Sequence, residues 1–139
     1  MDVNVLVALA WPSHLHHRRV QGWFTKAKDA GFRTCPMTQT GFVRLSSNPS
    51  FTRNAVAPRA ALTLLDQVTS MAEHEFWPDD LPVSEAIGRE QVIVGHRQIM
   101  DAYLVALARS RGGVVATLDR GMLAVAMGRE GLVELVQGG

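Results

Sequence analysis

The chain has only one cysteine, Cys35, among its 139 residues. A single thiol can neither form an internal disulfide nor supply a cysteine-rich zinc or iron–sulfur site. We therefore expect a cytoplasmic, reducing location. Long hydrophobic stretches are missing too, since the run from Val5 to Trp11 falls well short of the roughly 18 residues that a membrane span needs. No membrane association and no secretory signal are expected.

Charge is scarce, at 19% of residues, and the net charge is +1. Hydrophobic residues reach 47%, which excludes disorder and predicts one globular domain over residues 1–139. The charge is unevenly spread, with a net +5 in residues 1–72 and −4 in residues 73–139. Twelve of the fourteen bases are arginine, which pairs with phosphate, although an arginine-rich genome gives the same bias. An anionic partner is therefore compatible with the first half.

Apolar segments of strand and helix type alternate along the chain. Strands are predicted at 32–35, 74–77, 114–117 and 132–136, and the opening residues 1–10 suggest a strand running into a turn or helix. Helices are predicted between Ser13 and Gly31, at 39–46 after a Thr38 cap, from Pro58 with Leu62, Leu65 and Val68 inward, after Ser84, at 98–111 with Ile99 inward, and at 121–127. This order predicts an α/β domain with a central, mainly parallel sheet flanked by helices. Ligands of such sheets bind beyond the carboxyl ends of the strands.

Three acids occupy positions that a solvated surface explains poorly. Asp2 borders the first apolar run, Asp119 follows the predicted strand near residue 115, and Asp101 lies near the start of the 98–111 helix. These positions can converge at one sheet edge, where like charges cost stability unless a cation neutralises them. Ligands that are all oxygen favour Mg²⁺ or Mn²⁺. Local roles remain an alternative: Asp2 and Asp101 as helix caps or first-turn acids, and Asp119 as the opening of a turn.

Four segments in this order resemble the PIN-domain nucleases, and more narrowly the VapC-type toxins of bacterial type II toxin–antitoxin pairs. They are DVNVLVAL from Asp2, PMTQTGFVRLSSNP from Pro36, GHRQIMDAYLVALA from Gly95 and ATLDRG from Ala116. The resemblance implies a three-layer α/β fold and an endoribonuclease that depends on Mg²⁺ or Mn²⁺. It implies metal-binding, catalytic roles for Asp2, Asp101 and Asp119, supported by Asn4 and Thr117. It also implies an RNA substrate, with tRNA first, a neutralising antitoxin and a homodimer.

The second of these segments departs from the family pattern at Gln39, where many members carry Glu. The Gln39 amide oxygen can still accept a hydrogen bond from a metal-bound water, but the side chain carries no charge. One negative charge fewer weakens the binding of a second cation, so a permanent two-metal site is in doubt. Only Met1 precedes Asp2, so either the first strand is short or the natural start of the chain lies upstream.

Basic and aromatic residues supply candidate RNA contacts. The candidate phosphate contacts are Arg18, Arg19, Arg44 and Arg97. For Arg44 and Arg97, a structural ion pair is the alternative. Trp11 is the candidate exposed aromatic near the first acid, with an interface to a partner or second copy as the alternative. Trp23, Phe24 and Phe42 are predicted core residues. The histidines at positions 14, 16 and 17 are expected to form a solvated helix start rather than a metal site.

Two other functions remain open at this point. A non-catalytic RNA- or protein-binding PIN relative is suggested by Gln39. A phosphoacceptor signalling domain is also α/β with strand-end acids, but it needs paired acids at the first strand and a late lysine. Here Asp2 stands alone and no lysine follows Lys28, so this alternative is disfavoured.

Overall fold

A computed structural model describes residues 1–89, 91–126 and 131–137. Within these ranges the helices are α1 (Val3–Ala10), α2 (His17–Ala27), α3 (Pro36–Ser46), α4 (Pro58–Thr69), α5 (Val83–Ala86), α6 (Gln98–Ser110) and α7 (Gly121–Val125). A 3₁₀ turn, Lys28–Ala30, follows α2, and the strands are β1 (Phe32–Thr34), β2 (His74–Phe76), β3 (Val115–Thr117) and β4 (Val133–Leu135). The four interior strands thus lie where the sequence predicts them. The end of the predicted 121–127 helix lies outside the described residues.

The strands form two parallel pairs that the start of the chain joins. β1 pairs with β2 and β3 pairs with β4, both in parallel. The backbone nitrogen of Met1 donates to the carbonyl oxygen of Arg33 at 2.8 Å, and that of Asp2 donates to Ala116 at 2.9 Å. Met1 and Asp2 therefore bridge β1 and β3, so that Asp2 lies beside the carboxyl ends of both strands. The predicted parallel sheet with flanking helices is confirmed.

The opening segment is helical from Val3 onward, which corrects the predicted first strand. The Asp2 carboxylate accepts a 2.6 Å bond from the Val3 amide and so caps α1. Val5, Leu6 and Ala8 are fully buried. A short helix that is buried on most sides has no polar face, and its sequence is therefore hard to distinguish from that of a buried strand.

The predicted starts of two helices are also wrong. Helix α2 begins at His17, and Ser13 does not cap it. Helix α3 begins at Pro36, with Thr38 inside its first turn as the partner of Cys35 in a capping box. Proline suits a first helical turn because it lacks the amide that would go unpaired there. Gly31 does end the preceding turn, with a φ of 77°.

The core confirms most of the predicted inward faces. Phe24 and Phe42 are buried in one cluster together with Leu65 and Val68 of α4, and Trp23 is partly buried against it. Leu62 and Ile99, however, are 37% and 40% exposed, so they are not core residues. Ser84 lies inside α5 rather than capping it. Helical spacing alone does not reveal where the buried face ends.

Helices α1 and α3 pack closely at Gly41, and we predict that Gly41→Ala destabilises the protein by about 1–3 kcal/mol. A Cβ atom at this position would lie 2.8 Å from Cγ2 of Val3, the residue after Asp2. The β-branched Val3 side chain has little freedom to move away. Thermal unfolding measures the effect. Gly22→Ala is the matched control, since open space surrounds Gly22 in α2 and alanine favours the helix. Equal stability changes in the two variants would contradict the prediction.

Candidate active site

Thr117, the last residue of β3, is the centre of a polar cluster at the carboxyl edge of the sheet. Its side chain is fully buried. The Thr117 hydroxyl donates to Oδ2 of Asp2 at 2.6 Å, and it accepts bonds from Nδ2 of Asn4 at 3.2 Å and from the Asp119 amide at 3.0 Å. A hydroxyl offers one donor and two acceptor positions, so these three bonds use the whole hydrogen-bonding capacity of Thr117. It fixes Asp2, Asn4 and Asp119 relative to one another.

Asn4 holds the first turn of α1 to the segment after β3. Its Oδ1 accepts a 3.1 Å bond from the Leu118 amide while its Nδ2 donates to Thr117. Both ends of one amide therefore bind the same short loop. This arrangement keeps the amino end of α1, and with it Asp2, against the strand end.

Asp119 combines a local role with a position at the site. Its Oδ1 accepts a 2.7 Å bond from the Gly121 amide, which closes the turn into α7. The turn is the local alternative that the sequence allowed, and it coexists with the bond between the Asp119 amide and Thr117. Asp2 is likewise both a helix cap and a member of the cluster. Local capping and convergence are therefore not competing explanations.

Asp101 comes to the same edge from the first turn of α6, a helix that packs against β3. Burial raises its pKa to about 6, and the nearby negative charges of Asp2 and Asp119 add to the effect. Burial also raises the pKa of Asp2, while the Thr117 hydrogen bond opposes that rise. No described residue forms a hydrogen bond or salt bridge with the Asp101 carboxylate. The three acids thus share one electrostatic environment.

The raised pKa of Asp101, caused first by burial and then by the charges of Asp2 and Asp119, predicts that stability falls as pH rises. The folded-state pKa of Asp101, about 6, exceeds the ordinary value of 3.8, so its contribution lowers the free energy of unfolding as pH rises between these values. Asp101→Asn should therefore be more stable than the unsubstituted metal-free protein at pH 7. Because the side chain is half-exposed and screened by water, we expect a gain of at most about 1 kcal/mol.

Chemical denaturation at pH 4 and pH 7 without metal tests this. The difference between the two proteins should shrink at pH 4, where Asp101 binds a proton in almost all folded molecules and in somewhat less than half of the unfolded ones. A difference that stays constant between the two pH values would contradict the raised pKa of Asp101.

The donor set suits a hard divalent cation. All candidate ligands are oxygens: the carboxylates of Asp2, Asp101 and Asp119, with the amide of Asn4 and the hydroxyl of Thr117 beside them. Within residues 1–89, 91–126 and 131–137, no three His, Cys, Asp or Glu side chains form a closed metal cluster. Mg²⁺ commonly keeps several waters and uses one or two carboxylates, so a closed cluster is not required. The exposed Asp119 and the unpartnered Asp101 leave the site open to solvent.

Gln39 lies beside this edge but bonds to a different partner. Its Nε2 donates to the Thr34 hydroxyl at 2.9 Å, and the same oxygen lies 2.8 Å from Nε2 of His74. Thr34 ends β1, the strand next to Asp2. Thr34 and His74 could not be found from the sequence, because a lone threonine and a lone histidine at strand positions carry no recognisable signal.

The candidate RNA contacts are spread over the surface. Arg97 is exposed one turn before Asp101, at the start of α6, which places it near the acids. Arg44 is exposed in the last turn of α3, and Arg18 and Arg19 are exposed at the start of α2. Helix α2 follows the carboxyl end of α1, whereas Asp2 lies at its amino end. Of these four arginines, Arg97 is the one that shares a helix end with an acid, Asp101.

Trp11 is not an exposed aromatic near the first acid, which corrects that prediction. It follows the carboxyl end of α1, nine residues after Asp2, or about 13–14 Å along the helix axis. Its ring packs against the cluster around Phe42, and its Nε1 donates to the Ser46 hydroxyl at 2.9 Å. The histidines at positions 14, 16 and 17, which follow Trp11 in the chain, form no metal cluster with other described residues.

Comparison with known proteins decides the family. The model of the PIN domain family matches residues 1–127. Ribonuclease VapC39 of Mycobacterium tuberculosis is 42% identical over 137 residues, which cover 98% of this chain and 97% of that protein. Ribonuclease VapC38 of the same species is 43% identical over 129 residues, covering 93% and 90% respectively. This chain belongs to the PIN-domain family.

Within that family the PIN-domain chain is of the VapC type. A third relative from Mycobacterium tuberculosis, Ribonuclease VapC29, is 44% identical over 124 residues, covering 88% of this chain and 86% of that protein. The resemblance found in the four sequence segments is thereby confirmed. Membership of the PIN family also removes the phosphoacceptor alternative.

Proposed function

We propose that this PIN-domain protein is an endoribonuclease toxin that depends on Mg²⁺ or Mn²⁺ and hydrolyses phosphodiester bonds in structured RNA, with tRNA as the first candidate. One observation carries the proposal: Asp2, Asp101 and Asp119 come from three distant segments to one strand edge and repel each other there. Folding tolerates such repulsion where a cation relieves it. The names of the M. tuberculosis relatives, all ribonucleases, support the same activity.

The residues have separate tasks in this proposal. A bound divalent cation supplies a more acidic water and neutralises charge on the phosphoryl oxygens. Asp101, which has no described partner in the protein, is the carboxylate most available to the ion, and Asp2 and Asp119 complete the negative site. Thr117 and Asn4 keep these carboxylates in place, as partners behind metal ligands commonly do. Arg97 provides a positive charge for an RNA phosphate near the acids.

The proposed partners follow from the same assignment. We propose that a cognate antitoxin covers the acids, that two copies of the chain form a homodimer, and that the protein works in the cytoplasm as a single domain over residues 1–139. Among the described helices, none is long and apolar enough to cross a membrane.

Mapping of RNA ends tests the activity. Purified protein is incubated with total RNA or tRNA and Mn²⁺, and the new ends are sequenced. We expect a small set of discrete cuts with 5′-phosphate and 3′-hydroxyl ends, which disappear with chelator. Absence of cleavage, with RNA binding retained, would favour the second candidate, a non-catalytic RNA-binding PIN protein. The uncharged Gln39 is the observation that keeps this candidate open.

A further inference from the structure

Gln39 stands where many family members carry Glu, and its hydrogen bond to Thr34 bears on how many cations the site holds. Gln39 stands in the first half of α3, and its amide is tied to Thr34 at the end of β1. β1 is joined to the segment of Asp2 by the bond from Met1 to Arg33. Helix α3 also packs on α1 one residue beyond Asp2, at the contact between Val3 and Gly41. Position 39 therefore lies on the flank of the acid site.

The hydrogen bond to Thr34 needs a donor at position 39, which the Gln amide has and an ionised Glu lacks. Only the amide can donate a hydrogen, and Thr34 accepts it while the same hydroxyl contacts Nε2 of His74. Burial lowers the pKa of His74, which favours the neutral ring. A neutral ring nitrogen can accept the Thr34 proton, so all three side chains are paired without any charge. A carboxylate at position 39 would add a charge and remove the donor.

Counting charge then limits the metal content. With Gln39 neutral, the site holds at most the three negative charges of Asp2, Asp101 and Asp119. One divalent cation leaves a net −1, whereas two leave a net +1 in a partly buried place, which is unfavourable. A phosphate group of bound RNA adds the missing negative charge.

We propose that this chain binds a single divalent cation at rest and that a second enters only together with a phosphate group of the substrate, because Gln39 supplies no charge. The inference rests on the proposed function and narrows it. The substrate itself thereby completes the metal centre.

Mn²⁺ binding measured by calorimetry and by electron paramagnetic resonance tests this without any assay of cleavage. The full-length protein is titrated with Mn²⁺ alone and again with adenosine 5′-monophosphate, which stands for a 5′-phosphate end, after subtraction of a blank that lacks protein. We expect one Mn²⁺ per chain alone and two with the nucleotide. Gln39→Glu should bind two without it. Gln67→Glu, the same charge change at an exposed position of α4, should still bind one.

The outcomes separate the inference from the proposed function. Two Mn²⁺ per unsubstituted chain without nucleotide, with at least one lost in Asp101→Asn, would overturn the inference and leave the nuclease assignment standing. No second Mn²⁺ with the nucleotide, or a folded Gln39→Glu that still binds one, would also overturn it. No Mn²⁺ binding at all would remove the proposed function together with the inference. If Gln39→Glu fails to fold, the number of Mn²⁺ ions bound by the unsubstituted protein, with and without nucleotide, still supports or overturns the inference.

Discussion

Asp101→Asn is expected to reduce RNA cleavage by at least about a hundredfold. Loss of a residue that only supports a metal ligand typically costs 10–100-fold, and Asp101 is here proposed as a ligand itself. The substitution keeps the size of the side chain and removes one negative charge. Single-turnover cleavage of tRNA with saturating Mn²⁺ measures the loss.

The same variant controls for folding. Because asparagine carries no charge to be buried or to be repelled by Asp2 and Asp119, the variant should be at least as stable as the unsubstituted protein at pH 7. A stable but inactive protein therefore locates the defect in the site. Cleavage that persists at full rate in this variant alone would contradict the assignment of Asp101, whereas equal cleavage by Asp119→Asn as well would indicate a contaminating nuclease.

Thr117→Val is expected to reduce both stability and cleavage. Valine has nearly the same shape but no hydroxyl, so Asp2 loses its 2.6 Å hydrogen bond and the Asp119 amide loses its acceptor. Leaving such partly buried groups without a hydrogen-bond partner costs at most about 1–3 kcal/mol each. The pKa of Asp2 should rise further, since the Thr117 bond acts to lower it. Cleavage should fall about 10–100-fold, as expected for loss of a group behind the ligands.

Thr63→Val provides the comparison for that experiment. Thr63 is an exposed threonine of α4 whose hydroxyl bonds to the backbone carbonyl of Arg59, one turn earlier. The substitution makes the same chemical change far from the cluster. Unfolding by denaturant and cleavage rates should both remain close to those of the unsubstituted protein. If the two valine variants behaved alike, Thr117 would have no special role in the site.

Much of the sheet could be predicted from the sequence. β1, β2, β3 and β4 appear where short apolar segments end in proline, glycine or acid, because such residues stop strands in many contexts. The position of Asp119 follows directly, since a residue after a buried parallel strand must lie at the sheet edge. Helix α6 is also well predicted, as its apolar spacing extends over several turns.

The remaining errors share a physical cause, which is dependence on distant contacts. The sequence of α1 suggests a strand because a helix that is buried on most sides has no polar face, and its apolar residues therefore show no helical periodicity. Local preference alone favours Thr38 and Ser13 as helix caps, although Pro36 starts α3 and an Asp79 carboxylate, distant in sequence, accepts the Met37 amide at 3.0 Å. The bond between Gln39 and Thr34 depends on side-chain orientation, which spacing does not encode.

The bonds that build the acid cluster connect the two ends of the chain. Thr117 and Asp2 are 115 residues apart, and Asn4 and Thr117 are 113 apart. A growing polypeptide therefore cannot assemble this centre until residue 119 has left the ribosomal exit tunnel, however early its first helices fold. An enzyme that cuts RNA would thus be inert throughout almost all of its own translation, which spares the machinery that is making it.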